Sequence, residues 1–263
     1  MSTPANLLNF SHGNAKLSDS IMIFSLPTGH SCPGAEACLC KAARDSGKLT
    51  DGSKATFRCY AAAQEAAFGT LRQMRWRNFD KLRKIAGSVG AMHTLIARSI
   101  NEARTRKTRH VRIHGAGDFF SSKYYEAWMR VTATFPDLEF YAYTKSLPFW
   151  TAWLDAHQTL PSNLNLVASR GGKFDDLIDK YVLPEVVVVM HPDEAAAWGL
   201  EIDDDDTHAQ QAVPKFALLI HGQQKAGSDA AAAKKHLDAT GIHYGYGKKK
   251  LTPSPTHATT VNL

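Results

Sequence analysis

Four cysteines, Cys32, Cys38, Cys40 and Cys59, are all the thiols of the chain, and they fall in one polar segment punctuated by Pro33, Gly34 and Asp51-Gly52. Thiolates are the soft ligands that iron, zinc and copper(I) select, so this grouping is first of all a metal pattern. Zinc sites usually pair two short knuckles of the Cys-x-x-Cys kind. Here the spacing is Cys-x5-Cys-x-Cys with Cys59 at a distance and no second knuckle. An iron-sulfur cluster spreads its ligands over several iron corners and suits that irregularity, with zinc as the alternative. Two disulfides are disfavoured, because no amino-terminal signal precedes the cysteines and a chain of 263 residues needs no staples. Unrelated core thiols would not be expected to collect in one segment.

A second set of chemistry-bearing residues follows short apolar runs that read as strands. His110 to His114 leads into Gly115-Ala116-Gly117-Asp118, Glu139 to Tyr143 into Thr144-Lys145-Ser146, and Leu164 to Ala168 into Ser169-Arg170-Gly171-Gly172. Two later runs end in His191-Pro192-Asp193 and His221-Gly222-Gln223. Any one such ending is ordinary turn chemistry. In a parallel sheet, however, all strand carboxyl ends share one face, so together they define a pocket for a small-molecule or anionic ligand. Its expected residues are His30, His114, Gly115, Gly117, Asp118, Thr144, Lys145, Ser169, Arg170, His191, His221 and Gln223. Asp118 would accept hydrogen bonds, Lys145 and Arg170 would neutralise a carboxylate or phosphate, and His30, His191 and His221 would ligate or move protons.

The elements that must position these residues alternate. Ile21 to Leu26 is a buried strand from which the cysteine loop (27–62) leaves, with Lys41 to Arg58 as an exposed excursion. Helical patterns cover Ala61 to Phe68, Leu71 to Ile85, Val89 to Arg106, Ser122 to Phe135, Pro148 to His157, Phe174 to Tyr181 and Asp229 to Ala239. Strands cover the runs above together with Glu185 to Met190 and Phe216 to Ile220. Strand-helix alternation implies a parallel sheet with helical crossovers. The expected fold is α/β, a partial or distorted (β/α) barrel with parallel strands and a cysteine-rich metal loop after the first strand. It forms one domain over residues 1–247, followed by a flexible basic tail, 248–263.

Composition narrows the partners. The formal net charge of +6 leans toward an anionic partner. The basic helix 72–84, carrying Arg72, Arg75, Arg77, Lys81, Arg83 and Lys84 beside Trp76, could contact a phosphate backbone, helped by Lys248 to Lys250. A solvated charged face is the commoner use of such a pattern. Asp203 to Asp206 reads as a solvated acidic turn. No apolar run approaches the roughly 20 residues needed to cross a bilayer, so no membrane is expected.

Several motifs taken together, Asn14-Ala15-Lys16, Ser25-Leu26-Pro27, His30-Ser31-Cys32-Pro33-Gly34-Ala35, Phe57-Arg58-Cys59-Tyr60-Ala61-Ala62, Tyr143-Thr144-Lys145-Ser146 and His221-Gly222-Gln223-Gln224-Lys225-Ala226-Gly227, resemble the phage gene product 88 family. That resemblance implies a viral protein acting in the cytoplasm of an infected bacterial host. It also implies Cys32, Cys38 and Cys59 as the recurring thiols, with a Ser-like residue able to replace Cys40, so the expected ligands are these three with Cys40 as a possible fourth. At the level of architecture, a cluster loop after the first strand and a Gly-rich acidic turn after the second are similar to radical S-adenosylmethionine enzymes. In those, three thiolates hold a 4Fe-4S cluster whose open iron binds S-adenosylmethionine. The chain lacks their Cys-x3-Cys-x2-Cys spacing. The expectation is an iron-sulfur protein with redox or radical chemistry at the carboxyl face of the barrel. The rival expectation is a zinc-stabilised nucleic-acid-binding protein without catalysis.

Overall fold

The computed structural model describes residues 6–241, so the basic tail lies outside the described residues. Its main sheet has seven strands in the order β1 (Phe10–His12), β2 (Ile21–Ser25), β5 (His110–Ala116), β6 (Glu139–Thr144), β7 (Leu164–Ser169), β8 (Glu185–Val189) and β9 (Lys215–Leu219). Only β1 is antiparallel; every other pairing is parallel. A separate hairpin joins β3 (Cys40–Ala42) to β4 (Leu49–Asp51). The helices are α1 (Tyr60–Ala67), α2 (Gly69–Lys84), α3 (Val89–Ala103), α4 (Ser122–Thr134), α5 (Leu147–His157), α6 (Asp176–Tyr181), α7 (Pro192–Ala197), α8 (Thr207–Gln210) and α9 (Asp229–Ala239). None of them is long and apolar enough to cross a membrane.

The parallel strands add in chain order, always in one direction. Right-handed crossovers then place the main connecting helices α3, α4 and α5 on one face, while the short α8 lies on the other. The first face carries the larger core, in which Met22, Phe24, Val111, Ile113, Phe140, Ala142, Leu166 and Ala168 of the strands meet Ile96, Trp128 and Trp150 of the helices. On the other face Ile21, Ile23, Tyr141, Val167, Val186 and Phe216 are covered by Leu17 and by Ala209 of α8. Period-two alternation along each strand produces this division, as the register of Met22 with Val111 and of Ile23 with Arg112 shows.

The sheet is curled rather than flat. The Tyr60 hydroxyl donates to the Gly115 carbonyl at the end of β5 (2.7 Å), while its ring stacks on His221 beyond β9, centroids 4.5 Å apart. Three strands lie between β5 and β9. At roughly 4.8 Å per strand a flat sheet would hold these ends far beyond the reach of one side chain.

Two expectations need correction. The excursion from Lys41 to Arg58 is a folded hairpin, with Cys40 and Ala42 fully buried, so the thiols do not sit in one continuous loop. The acidic turn is only half solvated, because Asp203 and Asp206 are buried while Asp204 and Asp205 are exposed. Asp206 accepts from the Tyr141 hydroxyl at 2.9 Å and the Tyr143 hydroxyl at 3.2 Å, and pairs with Arg112 at 2.6 Å.

Candidate metal centre and its cavity

A cavity of about 170 Å³ opens where the parallel strands end, and Cys32, Cys38 and Cys59 line it. Each thiol arrives on a different support. Cys32 follows the turn after β2, where the Gly29 amide donates to its sulfur at 3.3 Å. Cys38 lies ahead of the hairpin, its segment held by the Ala37 amide on the Gly171 carbonyl (2.9 Å) and by the Thr56 amide on the Ala37 carbonyl (2.9 Å). Cys59 caps α1, so the Ala61 and Ala62 amides favour its thiolate. Burial is nevertheless the leading influence on all three thiols. It pushes Cys32 and Cys38 up and Cys59 up to about 12, with Asp118 adding to the rise at Cys32 and Cys38 adding to it at Cys59. The Lys145 ammonium opposes the rise at Cys38. Three desolvated thiols facing one another need a cation to lose their protons.

Cys40 stands apart. It does not line the cavity, and burial together with the Asp51 carboxylate pushes its thiol up to about 12. Asp51 in turn receives Arg58 through two hydrogen bonds of 2.7 and 2.8 Å, tying the hairpin to the residue before Cys59.

The spacing bears on which metal the thiols fit. Among the described residues, the one set of three ligand atoms lying within 4.8 Å of one another belongs to Asp203, Asp204 and Asp205. The sulfurs of Cys32, Cys38 and Cys59 do not all lie within that distance of one another. With Zn–S bonds of about 2.3 Å, a tetrahedral zinc holds its sulfurs roughly 3.8 Å apart. A polynuclear cluster ligates at separate corners and does not require its sulfurs to be that close.

Around the thiols, strand ends supply the rest of the lining. Gly115, Gly117, Asp118, Thr144, Lys145, Ser169 and His221 all border the cavity, as the sequence leads one to expect. Asp118 is a clamp between β5 and β6: it accepts from the Phe119 amide (2.7 Å), the Thr144 hydroxyl (2.6 Å) and the Lys145 amide (2.9 Å). Burial outweighs these donors and moves its carboxyl upward. Gly117 has φ +85°, and a Cβ there would lie 2.7 Å from Leu26 Cβ. Only glycine lets the turn after β5 lie against the turn after β2. His221 donates from Nδ1 to the Leu219 carbonyl at 3.0 Å, leaving Nε2 as the lone-pair nitrogen. Burial lowers its pKa to about 4, so the ring is neutral near pH 7.

Five expected pocket residues have other uses. The ring of His30 meets the Ala42 carbonyl (3.1 Å) and Trp76 (4.8 Å). Arg170 is drawn outward by Asp179 and Glu185. His191 lies against His236 at 5.5 Å, and Gln223 borders an open cleft between α1 and α9. His114 borders the cavity, but its ring turns the other way. A bulge sets Ser25 opposite Ala116 two residues after Ile23 faces Arg112, and His114 takes φ +69°. The ring thus enters the helix-side core among Phe24, Phe119, Tyr124 and Trp128. The basic helix is likewise partly internal. Arg75 is buried on Glu65 (2.8 Å), Arg72 reaches the carbonyls of Arg44, Glu65 and Asp45, and Lys81 binds the Leu7 carbonyl.

The lining also contains Arg112, Tyr60, Tyr143 and Arg58, which inspection of strand ends misses. Arg112 had a signal: it is the charged residue of His-Val-Arg-Ile-His, alternating against Val111 and Ile113, and so must face away from the helices.

Fold and site define an α/β protein built on a curled sheet whose parallel strands add in one direction, with a thiol-lined cavity at the strands' carboxyl ends. The chain belongs to the gene product 88 family, whose sequence profile matches residues 6–239. It is similar to the Gene 88 proteins of Mycobacterium phage D29 and Mycobacterium phage L5, each 31% identical over 162 residues, which is 60% of this chain and 59% of theirs. The alignment thus spans less than two thirds of those relatives. No solved structure matches the chain.

Proposed function

We propose that this protein binds an iron-sulfur cluster of the 4Fe-4S type through Cys32, Cys38 and Cys59, at the mouth of a partial (β/α) barrel, in the cytoplasm of a phage-infected cell. The observation that carries the reading is three half-buried thiols that reach one cavity from three separate supports, with sulfurs that do not all lie within 4.8 Å of one another, an arrangement that suits the separate corners of a cluster. Cys40, committed to Asp51, is left as a structural thiol. Three protein ligands leave one cluster corner for a small ligand in the same cavity.

When bound, such a cluster supplies one-electron chemistry. The chain's own residues supply the rest. Gly29 and the first turn of α1 direct amides at two of the sulfurs, and hydrogen bonds of that kind tune a cluster. Neutral His221 offers Nε2 as an acceptor, while Arg112 presents its guanidinium over Tyr143 with Asp206 behind it. A ligand in the cavity would meet a donor and an acceptor at the end formed by β5 and β9. The rival nucleic-acid-binding reading is weakened, because Arg72 and Arg75 are withdrawn from solvent.

Anaerobic purification with iron, sulfide and zinc analysis tests this. The expected result is a brown protein with iron and sulfide in stoichiometric amounts, bleached in Cys32→Ala, Cys38→Ala and Cys59→Ala but not in Cys40→Ala. A colourless protein holding one zinc would overturn it.

A further inference from the structure

Three cations line the cavity: Arg58, Arg112 and Lys145. Arg58 pairs with Asp51 and Arg112 with Asp206. Lys145 alone of the three has no carboxylate partner among the described residues. Its Nζ donates to the Ser169 carbonyl, the Ser169 hydroxyl (2.9 Å) and the Arg170 carbonyl, all neutral acceptors that use its three protons. The residue is only 7% exposed. A buried ammonium satisfied as a donor but not as a charge is costly, and few folds keep one without an anion nearby.

The surroundings hold this ammonium in place. The Lys145 amide is fixed by Asp118. Its carbonyl lies so close to Gly34 that a Cβ on Gly34 would overlap the oxygen, which presses the Cys32 loop onto the lysine backbone. Gly171 and Gly172, next to the acceptors of Nζ, take part in the same contact: the Gly171 carbonyl accepts from Ala37, and Ala35 bridges Gly172. The loop that carries Cys32 and Cys38 is therefore docked on the two strand ends that aim Lys145.

We infer that Lys145 is the buried counter-cation of the metal centre and raises its reduction potential. The inference rests on the cluster reading above. Three thiolates outnumber the positive charge of an oxidised 4Fe-4S core, and an added electron makes the assembly more negative still. A fixed ammonium on the cavity wall stabilises the reduced form more than the oxidised one. The remaining arginines, already neutralised by Asp51 and Asp206, contribute less.

The test compares wild type, Lys145→Met and Lys145→Arg after anaerobic loading with iron and sulfide, reading iron content and the midpoint potential in a dithionite titration. The expected result is a lower potential in Lys145→Met, restored toward wild type in Lys145→Arg. If Lys145→Met fails to load while Lys145→Arg loads, the charge is needed for assembly, which supports Lys145 as the counter-cation, and the potential is then read in Lys145→Arg, where the more diffuse charge should lower it slightly; a potential equal to wild type there would overturn the tuning role. An unchanged potential in fully loaded Lys145→Met overturns it while leaving the cluster reading intact, and loss of loading in both variants makes Lys145 a structural residue only. A colourless wild type instead removes the cluster reading, and this inference with it.

Discussion

Glu65 and Arg75 form the buried ion pair that fastens α1 to α2, and they also anchor the start of the cysteine segment. Glu65 is fully buried and its Oε1 accepts from Arg75 Nη1 (2.8 Å), the Thr28 amide (2.9 Å) and the Thr28 hydroxyl (2.9 Å). Glu65→Ala would strand a guanidinium and two donors of Thr28 in the interior. Breaking a buried pair from one side costs about 3–5 kcal/mol. Against a total stability of about 5–15 kcal/mol that is a large fraction. Arg75→Met, which strands the carboxylate, should cost a similar amount. The pair is a single-point contact, since Glu65 Oε2 and Arg75 Nε have no hydrogen-bond partner among the described residues. Its replacement by neutral groups of similar shape should therefore recover most of the loss. Glu65→Gln combined with Arg75→Met keeps an acceptor for Thr28 and should lie within about 1 kcal/mol of wild type, as buried pairs replaced together often do. Urea unfolding followed by circular dichroism measures all three. A Glu65→Ala cost below about 1 kcal/mol, or a double variant no better than the singles, would refute the reasoning.

Further outcomes follow from the same geometry. Gly117→Ala, at φ +85° against Leu26, should lose about 1–3 kcal/mol of stability and most iron loading, whereas Gly90→Ala, in α3 with open space around it, should gain up to about 1 kcal/mol and leave iron loading unchanged. His114 and His221 are both held neutral by burial, with pKa values lowered to about 3 and about 4. The unfolded chain protonates them near 6.5, so it binds more protons than the folded one between that pH and about 4, and stability should fall as pH drops through this window. Urea midpoints at pH 7, 5.5 and 4.5 should fall less steeply in His114→Phe than in wild type; identical slopes would remove His114 from the account. Cys40→Ala should leave iron content intact and weaken the hairpin by about 1 kcal/mol, the usual worth of one hydrogen bond, seen as faster amide exchange in β3.

Legibility in the sequence followed the range of the interactions. The strand from Glu139 and the helix from Asp229 could be read directly, because period-two and period-3.6 patterns with flanking caps are local signals. The shared face of the strand ends was also readable, since parallel topology alone brings Asp118, Lys145, Ser169 and His221 together. What escaped were effects set by distant partners. Cys40 looks like any other thiol of its segment until the hairpin pairs it opposite Asp51. His114 looks like a pocket residue until the bulge between Arg112 and Ala116 turns its ring toward Trp128. Arg75 looks like a phosphate contact until α1 places Glu65 above it.

These exceptions share a cause that bears on the site itself. A thiol, imidazole or guanidinium carries enough polarity to be placed by a single partner, and that partner decides whether it faces solvent, core or cavity. Three thiols remain without such a partner among the described residues: none of Cys32, Cys38 and Cys59 bonds a carboxylate as Cys40 does, and the groups that donate to them are backbone amides. Amide donors suit an anionic sulfur, yet burial holds each thiol protonated. The two tendencies are reconciled when a metal takes the proton's place, because coordination satisfies the sulfur and leaves the amides as donors to it. Lys145, the one cavity cation that pairs with no carboxylate among the described residues, stands on the same wall and would meet its missing charge in the same event.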